Sequence, residues 1–506
     1  MVVSLLFAVI LTAKSSHEKT HKNSGLHFAP SSRQTHGSFR FRGVIMSNNQ
    51  QEKSSKALSE ARAIVGDDLF ASFEPDLAGG VANDHGLTEV AHDVRRLEAG
   101  HERTNGFAKI FAKALTANEN GPLSDLQFVA KDMYALAGHE NHFGSKLRLG
   151  PANRHAFVLE QLLGGGARLS GMAKMNEMAL GPHGFNELDG HVLNPIAPDH
   201  MPGGSSSGTG ALIADGAVDF GLGSDTAGSI RIPAHFCGVV GYKPSHGLVS
   251  RRGSMTLCPG LDVVGPLARN MEIMLRVAPY LLREDPRDHD QHALSYVDEP
   301  LKPMRPSRLG YFPELLADCP ERTAKAMNDM LTMAGSHGVD LVAIDGHPFG
   351  HLSRAAIAFQ SAEAYATHRD HLDGDLIHDV TVRQRMQHGA GYDLADHFLL
   401  SKARDLALVQ WQKTYAHIDL LLMPCMTIEI PLRQSYEEAD PDGRMAMVGS
   451  ITSLSRPVNY LRLPSVVLPL PQLGSLPHGM QLLGGYREDL SLLQHAAWME
   501  AELISA

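Results

Sequence analysis

Apolar residues recur every three or four positions through Lys53–Val65 and Glu89–Leu115, with Lys, Arg and Glu between them. That spacing puts the apolar side chains on one face of a helix, so amphipathic helices are expected in both stretches. The pattern then shortens. Leu126–Ala130 is a brief apolar run ending at Lys131, the length of a buried strand. His155–Gly166 reads as a helix with Phe157, Leu159, Leu162 and Leu163 apolar and Gly164–Gly166 as its stop. Ala167–Gly171 and Val239–Lys243 read as further strands. Leu212–Gly221 is a helix or a strand, because small residues blur its period.

Past Ser307 the same alternation returns. Leu309–Tyr311 and Leu341–Ile344 are strand-like and flank a helical pattern at Arg322–His337. An amphipathic helix at Arg404–Ile418 precedes the apolar run Leu420–Met423. Val466–Pro469 and Met480–Leu483 read as late strands, and Leu490–Leu503 as a closing helix. Residues 283–307, rich in Pro, Asp, His and Arg, read as a surface loop. Short strands alternating with helices indicate an α/β sheet protein. There is no internal repeat.

The composition narrows the function more than the fold. The chain has 506 residues, 43% hydrophobic and 20% charged, enough for a large core. Its net charge is −11 and it has no long basic block, which argues against a nucleic-acid partner. Cys237, Cys258, Cys319 and Cys425 form no C-x-x-C pair and are too few for a disulfide scaffold, so a reducing, cytoplasmic compartment is expected. Residues 2–12 are apolar but too short to span a bilayer, and no Lys or Arg precedes them. Residues 14–45 carry six Lys and Arg against one acid, with Ser, His and Thr between, a composition expected of disorder. Two origins stay open for this segment: a targeting tail, or upstream sequence before a start at Met46. The expected organisation is an N-terminal extension over 1–50 and one domain over 51–506.

The chemistry concentrates in residues 203–231, GGSSSGTGALIADGAVDFGLGSDTAGSIR. Serine crowded by glycine lets backbone N–H groups approach a reacting oxygen, since glycine has no Cβ and tolerates unusual dihedrals. Ser229, in Asp225-Thr226-Ala227-Gly228-Ser229-Ile230-Arg231, could act as a nucleophile beside a turn whose N–H groups receive an oxyanion. The simpler account of that turn is an N-capping serine. Gly204-Ser205-Ser206-Ser207-Gly208 matches G-x-S-x-G around Ser206, but no buried strand leads into it, as a nucleophile elbow requires. No G-K-[ST] follows, so it is not a phosphate loop of the Walker type. Lys131, closing an apolar run, could be a base whose pKa burial lowers; taken alone, a surface Lys131–Asp132 pair is the plainer reading. His139-Glu140-Asn141-His142 is one residue short of the zincin motif. The histidines at 289, 292, 368 and 371 lie in polar stretches and read as solvated.

Taken together, these segments resemble the amidase signature family. GGSSSG…GSDTAGSIRIPAHFCGVVGYKPSHGLVS from residue 203 is similar to its signature stretch. Upstream, LLGGGARLSGMAKMNE from Leu162, Asn186…Asn194-Pro195, VAKD at 129–132 and Gly138…Gly144-Ser145 resemble the family's flanking segments. Downstream, SRRG from Ser250, LDVVGP from Leu261 and PHGMQLLG from Pro477 do the same. The likeness is dense over about 126–270 and thinner from about 300 to 500.

The resemblance implies the amidase signature fold, a mixed sheet of many strands covered by helices on both faces. It implies hydrolysis of an amide C–N bond through an acyl-serine intermediate, without metal or cofactor. Residue by residue, Ser229 matches the nucleophile, Ser205 the serine held by a cis peptide bond, and Lys131 the base. The N–H groups of Thr226, Ala227, Gly228 and Ser229 match the oxyanion hole. Ser206, Ser207, Asp225 and Arg231 are expected to brace the site. Ala227 stands where many members have glycine, and His478 where a small apolar residue is usual. Similar stand-alone members act on arylacetamides such as indole-3-acetamide, on aliphatic amides, or on amide and urea-type groups of small nitrogen compounds. The expected partner is a small amide, with no membrane and no nucleic acid, and a homodimer is left open. Two alternatives remain: the glutamine-hydrolysing A subunit of a tRNA-dependent amidotransferase, and a non-catalytic scaffold on the same fold.

Overall fold

The computed structural model describes residues 86–148, 150–292, 300–372, 374–470 and 476–504. The N-terminal extension and the helix expected over 53–65 lie outside them. Twelve strands form one sheet: β1 (Thr88–Val90), β2 (Phe107–Thr116), β3 (Gln127–Lys131), β4 (Arg168–Ala173), β5 (Phe220–Asp225), β6 (Val240–Lys243), β7 (Val263–Ala268), β8 (Arg308–Tyr311), β9 (Asp340–Ala343), β10 (Leu420–Pro424), β11 (Ser465–Pro469) and β12 (Gly479–Leu483). Their order is β1-β2-β4-β3-β5-β7-β6-β11-β12-β10-β8-β9. β4, β3 and β5 run parallel, as do β10, β8 and β9; the other neighbours are antiparallel. Every residue of β5 and β7 is buried whichever way it points, so both faces of the central sheet are covered. The expected α/β class with a mixed sheet is the one observed.

The local expectations differ from the structure in three places. Glu89–Leu115 is not one helix. Helix Val94–Thr104 stops at Asn105, which takes the left-handed conformation (φ 50°), and β2 follows at Phe107. Lys109 and Lys113 lie four apart and imitate helical spacing, but pairing of β2 with both β1 and β4 decides the conformation. Leu212–Gly221 is neither one helix nor one strand. It holds the end of helix Ser207–Ala214 and the start of β5, separated by a turn. Helix Leu394–Tyr415 also begins ten residues before the expected start, at an Asp393–Asp396 capping box.

The parallel trio β4-β3-β5 carries the site, and its register is pinned at the opposite end. The Asp219 carboxylate accepts from the Gln127 N–H (2.9 Å), while its own N–H donates to the Gln127 carbonyl (2.9 Å). Its carbonyl accepts from the Arg269 N–H (3.1 Å), so one residue sets β3 against both β5 and β7. Above it Phe128 and Phe220 stack at 4.9 Å with planes 7° apart. Because the pair is opposite in register, residues after it on both strands rise level toward the C-terminal end of the trio.

Gly171 in β4 lets β2 pack close: a Cβ there would lie 2.2 Å from the Lys109 carbonyl oxygen. Gly171→Ala is expected to cost about 1–3 kcal/mol, read as a lower urea midpoint at unchanged slope. An unshifted midpoint would show that β2 gives way freely.

Candidate active site

β3 ends at Lys131, whose side chain is fully buried. Its Nζ lies 2.7 Å from Ser205 Oγ and 2.8 Å from Ser224 Oγ. Burial pulls the Lys131 ammonium down to about 7, against Asp225 and Asp262, which favour its charged form. Asp132 turns away and is also buried, bonded to the Asn141 side chain (3.0 Å) and the His142 N–H (3.2 Å). The surface Lys131–Asp132 pair is therefore not what the chain forms.

Ser205 is presented by a peculiar piece of backbone, with a cis peptide between Gly204 and Ser205. Only glycine fits at 204: a Cβ would meet Asn176 Oδ1 at 2.2 Å and the Gly181 carbonyl oxygen at 2.8 Å. The Asn176 N–H donates to the Ser205 carbonyl (3.2 Å). Ser206 Oγ accepts from the Ser224 N–H (3.3 Å) and donates to the Ser224 carbonyl (3.4 Å). The Ser206 N–H donates to the Ser229 carbonyl (3.3 Å), which sets the two glycine–serine clusters against each other. Ser207 opens the following helix, and its buried hydroxyl has no hydrogen-bond partner among the described residues.

The turn 226–230 follows β5 and is wrapped around the Asp225 carboxylate. That group accepts from the N–H groups of Gly228 (2.8 Å), Ile230 (3.2 Å) and Arg231 (3.4 Å). It also accepts from Arg231 Nε (3.0 Å), Arg231 Nη2 (3.0 Å) and Asn459 Nδ2 (2.9 Å). Burial alone would raise its pKa, but Arg231, Lys243 and Asn459 together hold the carboxyl well below its ordinary value. Arg231, equally buried, donates further to Gln481 Oε1 (2.6 Å), the Ser455 carbonyl (3.0 Å) and Asn459 Oδ1. Thr226 Oγ1 donates to Asp262 Oδ1 (2.6 Å), while Asp262 Oδ2 accepts from the N–H groups of Leu257 and Cys258. Burial pushes the Asp262 carboxyl up to about 6 despite those bonds.

The Gly228 N–H is thus taken by Asp225, whereas those of Thr226, Ala227 and Ser229 have no partner among the described residues. Ser455 Oγ donates to the Ala227 carbonyl (2.5 Å). His478 is buried, its Nδ1 3.3 Å from Thr323 Oγ1. Lys131, Ser205, Ser206, Asp225 and the 226–231 turn are brought into one bonded cluster. Ser224, Asn176, Asp262, Ser455 and Asn459 join it without a signal in the sequence. Ser224 is picked out by the β3–β5 register, which places it two residues beyond Leu222, the last paired residue.

This is the architecture of an α/β hydrolytic enzyme whose serines and lysine meet at the end of parallel strands. Residues 94–493 match the Amidase family, and the chain belongs to it. It is similar to the A subunit of the glutamyl-tRNA(Gln) amidotransferase of Symbiobacterium thermophilum, with 31% identity over 75% of this chain and 83% of that one. The corresponding protein of Methanospirillum hungatei is 28% identical over 74% of this chain and 92% of its own. Among solved structures, an amidase superposes with a TM-score of 0.70 at 26% identity, covering 81% of this chain and 94% of that one. A 6-aminohexanoate cyclic dimer hydrolase complexed with substrate shares the fold, with a TM-score of 0.72 at 21% identity over 81% of this chain and 92% of that one. The chain is an amide-hydrolysing enzyme. No helix among the described residues is long and apolar enough to cross a membrane.

Removing one partner of a buried ion pair strands the other charge. Arg231→Met is expected to cost about 3–5 kcal/mol of stability, measured by urea unfolding. A loss below about 1 kcal/mol would mean that Asp225 is held by its other donors alone.

Proposed function

We propose that Ser229 is the nucleophile, Ser205 the proton relay and Lys131 the base of an amide hydrolysis. One observation carries this reading: a fully buried lysine, poised near neutrality, 2.7 Å from the hydroxyl of Ser205. Neutral Lys131 takes the Ser205 proton as Ser205 takes that of Ser229, and Ser229 Oγ attacks the amide carbonyl carbon. The oxyanion is received by the N–H groups of Thr226, Ala227 and Ser229. The fourth expected donor, Gly228, braces the turn through Asp225 instead. The relay returns the proton to the nitrogen as the C–N bond breaks, and ammonia or amine leaves. Water then attacks the acyl-serine by the same path, releasing the acid and restoring the hydroxyl. Asp225 and Arg231 act as positioning residues and do not touch the substrate.

A second reading is favoured by the curated relatives, which are amidotransferase subunits. The chain would then use glutamine and need a partner. Assay of the purified chain alone against glutamine and a panel of simple primary amides separates the two. Hydrolysis of simple amides without a partner supports the stand-alone enzyme, and turnover of glutamine only with added partner supports the amidotransferase role.

Ser229→Ala and Lys131→Ala are each expected to lower kcat at least about 10³-fold with the circular dichroism spectrum unchanged. A fluorophosphonate probe should label Ser229 in the native enzyme and fail in Ser229→Ala. Activity within tenfold of native in either variant would refute the roles assigned.

The pH dependence has a definite sign. Lys131 must be neutral to accept a proton, and it is protonated below its pKa of about 7. kcat/KM should therefore fall about tenfold per unit as the pH drops below about 7. A flat profile down to pH 5 in folded enzyme would rule out a lysine base.

A further inference from the structure

A cavity of about 180 Å³ opens between the last turns of helix Leu394–Tyr415 and the loop 484–488, which leads from β12 into helix Asp489–Met499. A buried water needs about 10–15 Å³, so the space holds a small organic molecule. β12 lies four strands along the sheet from β5, and no residue of the serine–lysine cluster lines this cavity.

Three aromatic side chains belong to its walls. Trp411 and Tyr415 sit one turn apart on the helix, with ring centroids 4.3 Å apart and planes at 55°. Trp411 also meets Phe349 at 5.9 Å and Tyr415 meets Phe312 at 6.2 Å, so packing fixes both rings. Tyr486 comes from the loop. Leu421 of β10 and Leu483 of β12, both buried, add an apolar floor.

The one acidic side chain in the lining is Glu488, and no Lys, Arg or His belongs to it. The Glu488 carboxylate has no hydrogen-bond or ion-pair partner among the described residues. It folds back over Gly485, where a Cβ would lie 2.3 Å from Glu488 Oε2. Arg487, the adjacent cation, is engaged elsewhere, donating to the His292 carbonyl (3.1 Å). Burial, and then the charge of Glu314, push the Tyr415 phenol up to about 12. That phenol stays neutral, and a second carboxylate adds to the negative field on its wall.

The face of an aromatic ring is negative and attracts a cation within about 6 Å of its centroid. An alkylated ammonium uses every part of this lining. Its charge meets the rings and the unpaired carboxylate, and its hydrocarbon meets the leucines. An anion would face Glu488 with no cation in the wall to offset the repulsion.

We propose that this cavity binds a small organic ammonium ion against Trp411, Tyr415 and Tyr486, with Glu488 as its counter-ion. The site does not depend on Ser229 being the nucleophile.

Trp411 and Trp498 are the two indoles of the chain, so in the full chain carrying Trp498→Phe the fluorescence reports on the cavity alone. That protein is titrated with choline, with neohexyl alcohol as its uncharged carbon isostere, with butylammonium and with butyrate. Choline or butylammonium should change the Trp411 emission. Choline should bind at least about tenfold more tightly than the alcohol, and butylammonium more tightly than butyrate. Glu488→Gln should weaken cation binding about threefold to tenfold and remove most of its dependence on salt. Gly485→Ala, which pushes the carboxylate aside, should act in the same direction. Tyr486→Leu should weaken binding about tenfold and keep the salt dependence. Ser229→Ala should leave the affinity unchanged. If Tyr486→Leu misfolds by circular dichroism, Glu488→Gln carries the test. Equal affinity for choline and the alcohol, tighter binding of butyrate than butylammonium, or a silent Trp411 would overturn the site. So would affinity unmoved in the folded Glu488→Gln and Tyr486→Leu variants, or affinity lost in Ser229→Ala.

Discussion

The ion pair between Asp225 and Arg231 governs the shape of everything around it. Neither group meets water, and burying both charges costs several kcal/mol per ion unless every lone pair and N–H is used. Here nearly all are. Asp225 takes six donors, three of them backbone N–H groups of the turn it precedes. The turn carrying Ser229 is therefore not a loop resting on the protein but a ring of peptide groups drawn around one carboxylate. Gly228, at φ 123°, supplies the bend such a ring needs, where L side chains are strained.

The polar cluster and the cavity between the later helices come from different stretches of chain. The turn carrying Ser229, Lys131 and the cis-linked Ser205 all lie within 131–231, on or beside the parallel trio. A cavity of about 120 Å³ lined by Arg385 and Arg456 is built mainly from helices beyond residue 349, with Leu180 as its link to the first half. The polar cluster thus rests on a rigid sheet end, whereas the cavity wall is made of side chains on helices.

The division also explains what the sequence could tell. The strand at 126–130 and the lysine closing it were legible because an apolar run and a polar stop suffice to define them. The glycine–serine clusters were legible because glycine at close approach leaves no choice of residue, as at Gly204 beside Asn176. The β2 strand was not, since Lys109 and Lys113 fit a helix as well, and only cross-strand partners separate the cases. The burial of Lys131 with Asp132 was equally hidden, because an adjacent opposite charge reads as a surface pair. Arg456 carried no signal at all: an arginine between Ser455 and Pro457 looks like any helix start until four helices are seen to close on it.

The partners of Arg231 have a consequence for how the protein is made. Ser455, Asn459 and Gln481 lie more than two hundred residues further along the chain. During synthesis the turn carrying Ser229 emerges long before the groups that anchor its arginine, and long-range contacts of this kind form late. The nascent chain therefore holds Ser229 in an incompletely anchored turn until β12 docks. The finished shape of that turn becomes a property of the whole molecule: a chain that stops before Gln481 lacks one of the groups that hold Arg231, and with it part of the anchorage of the turn.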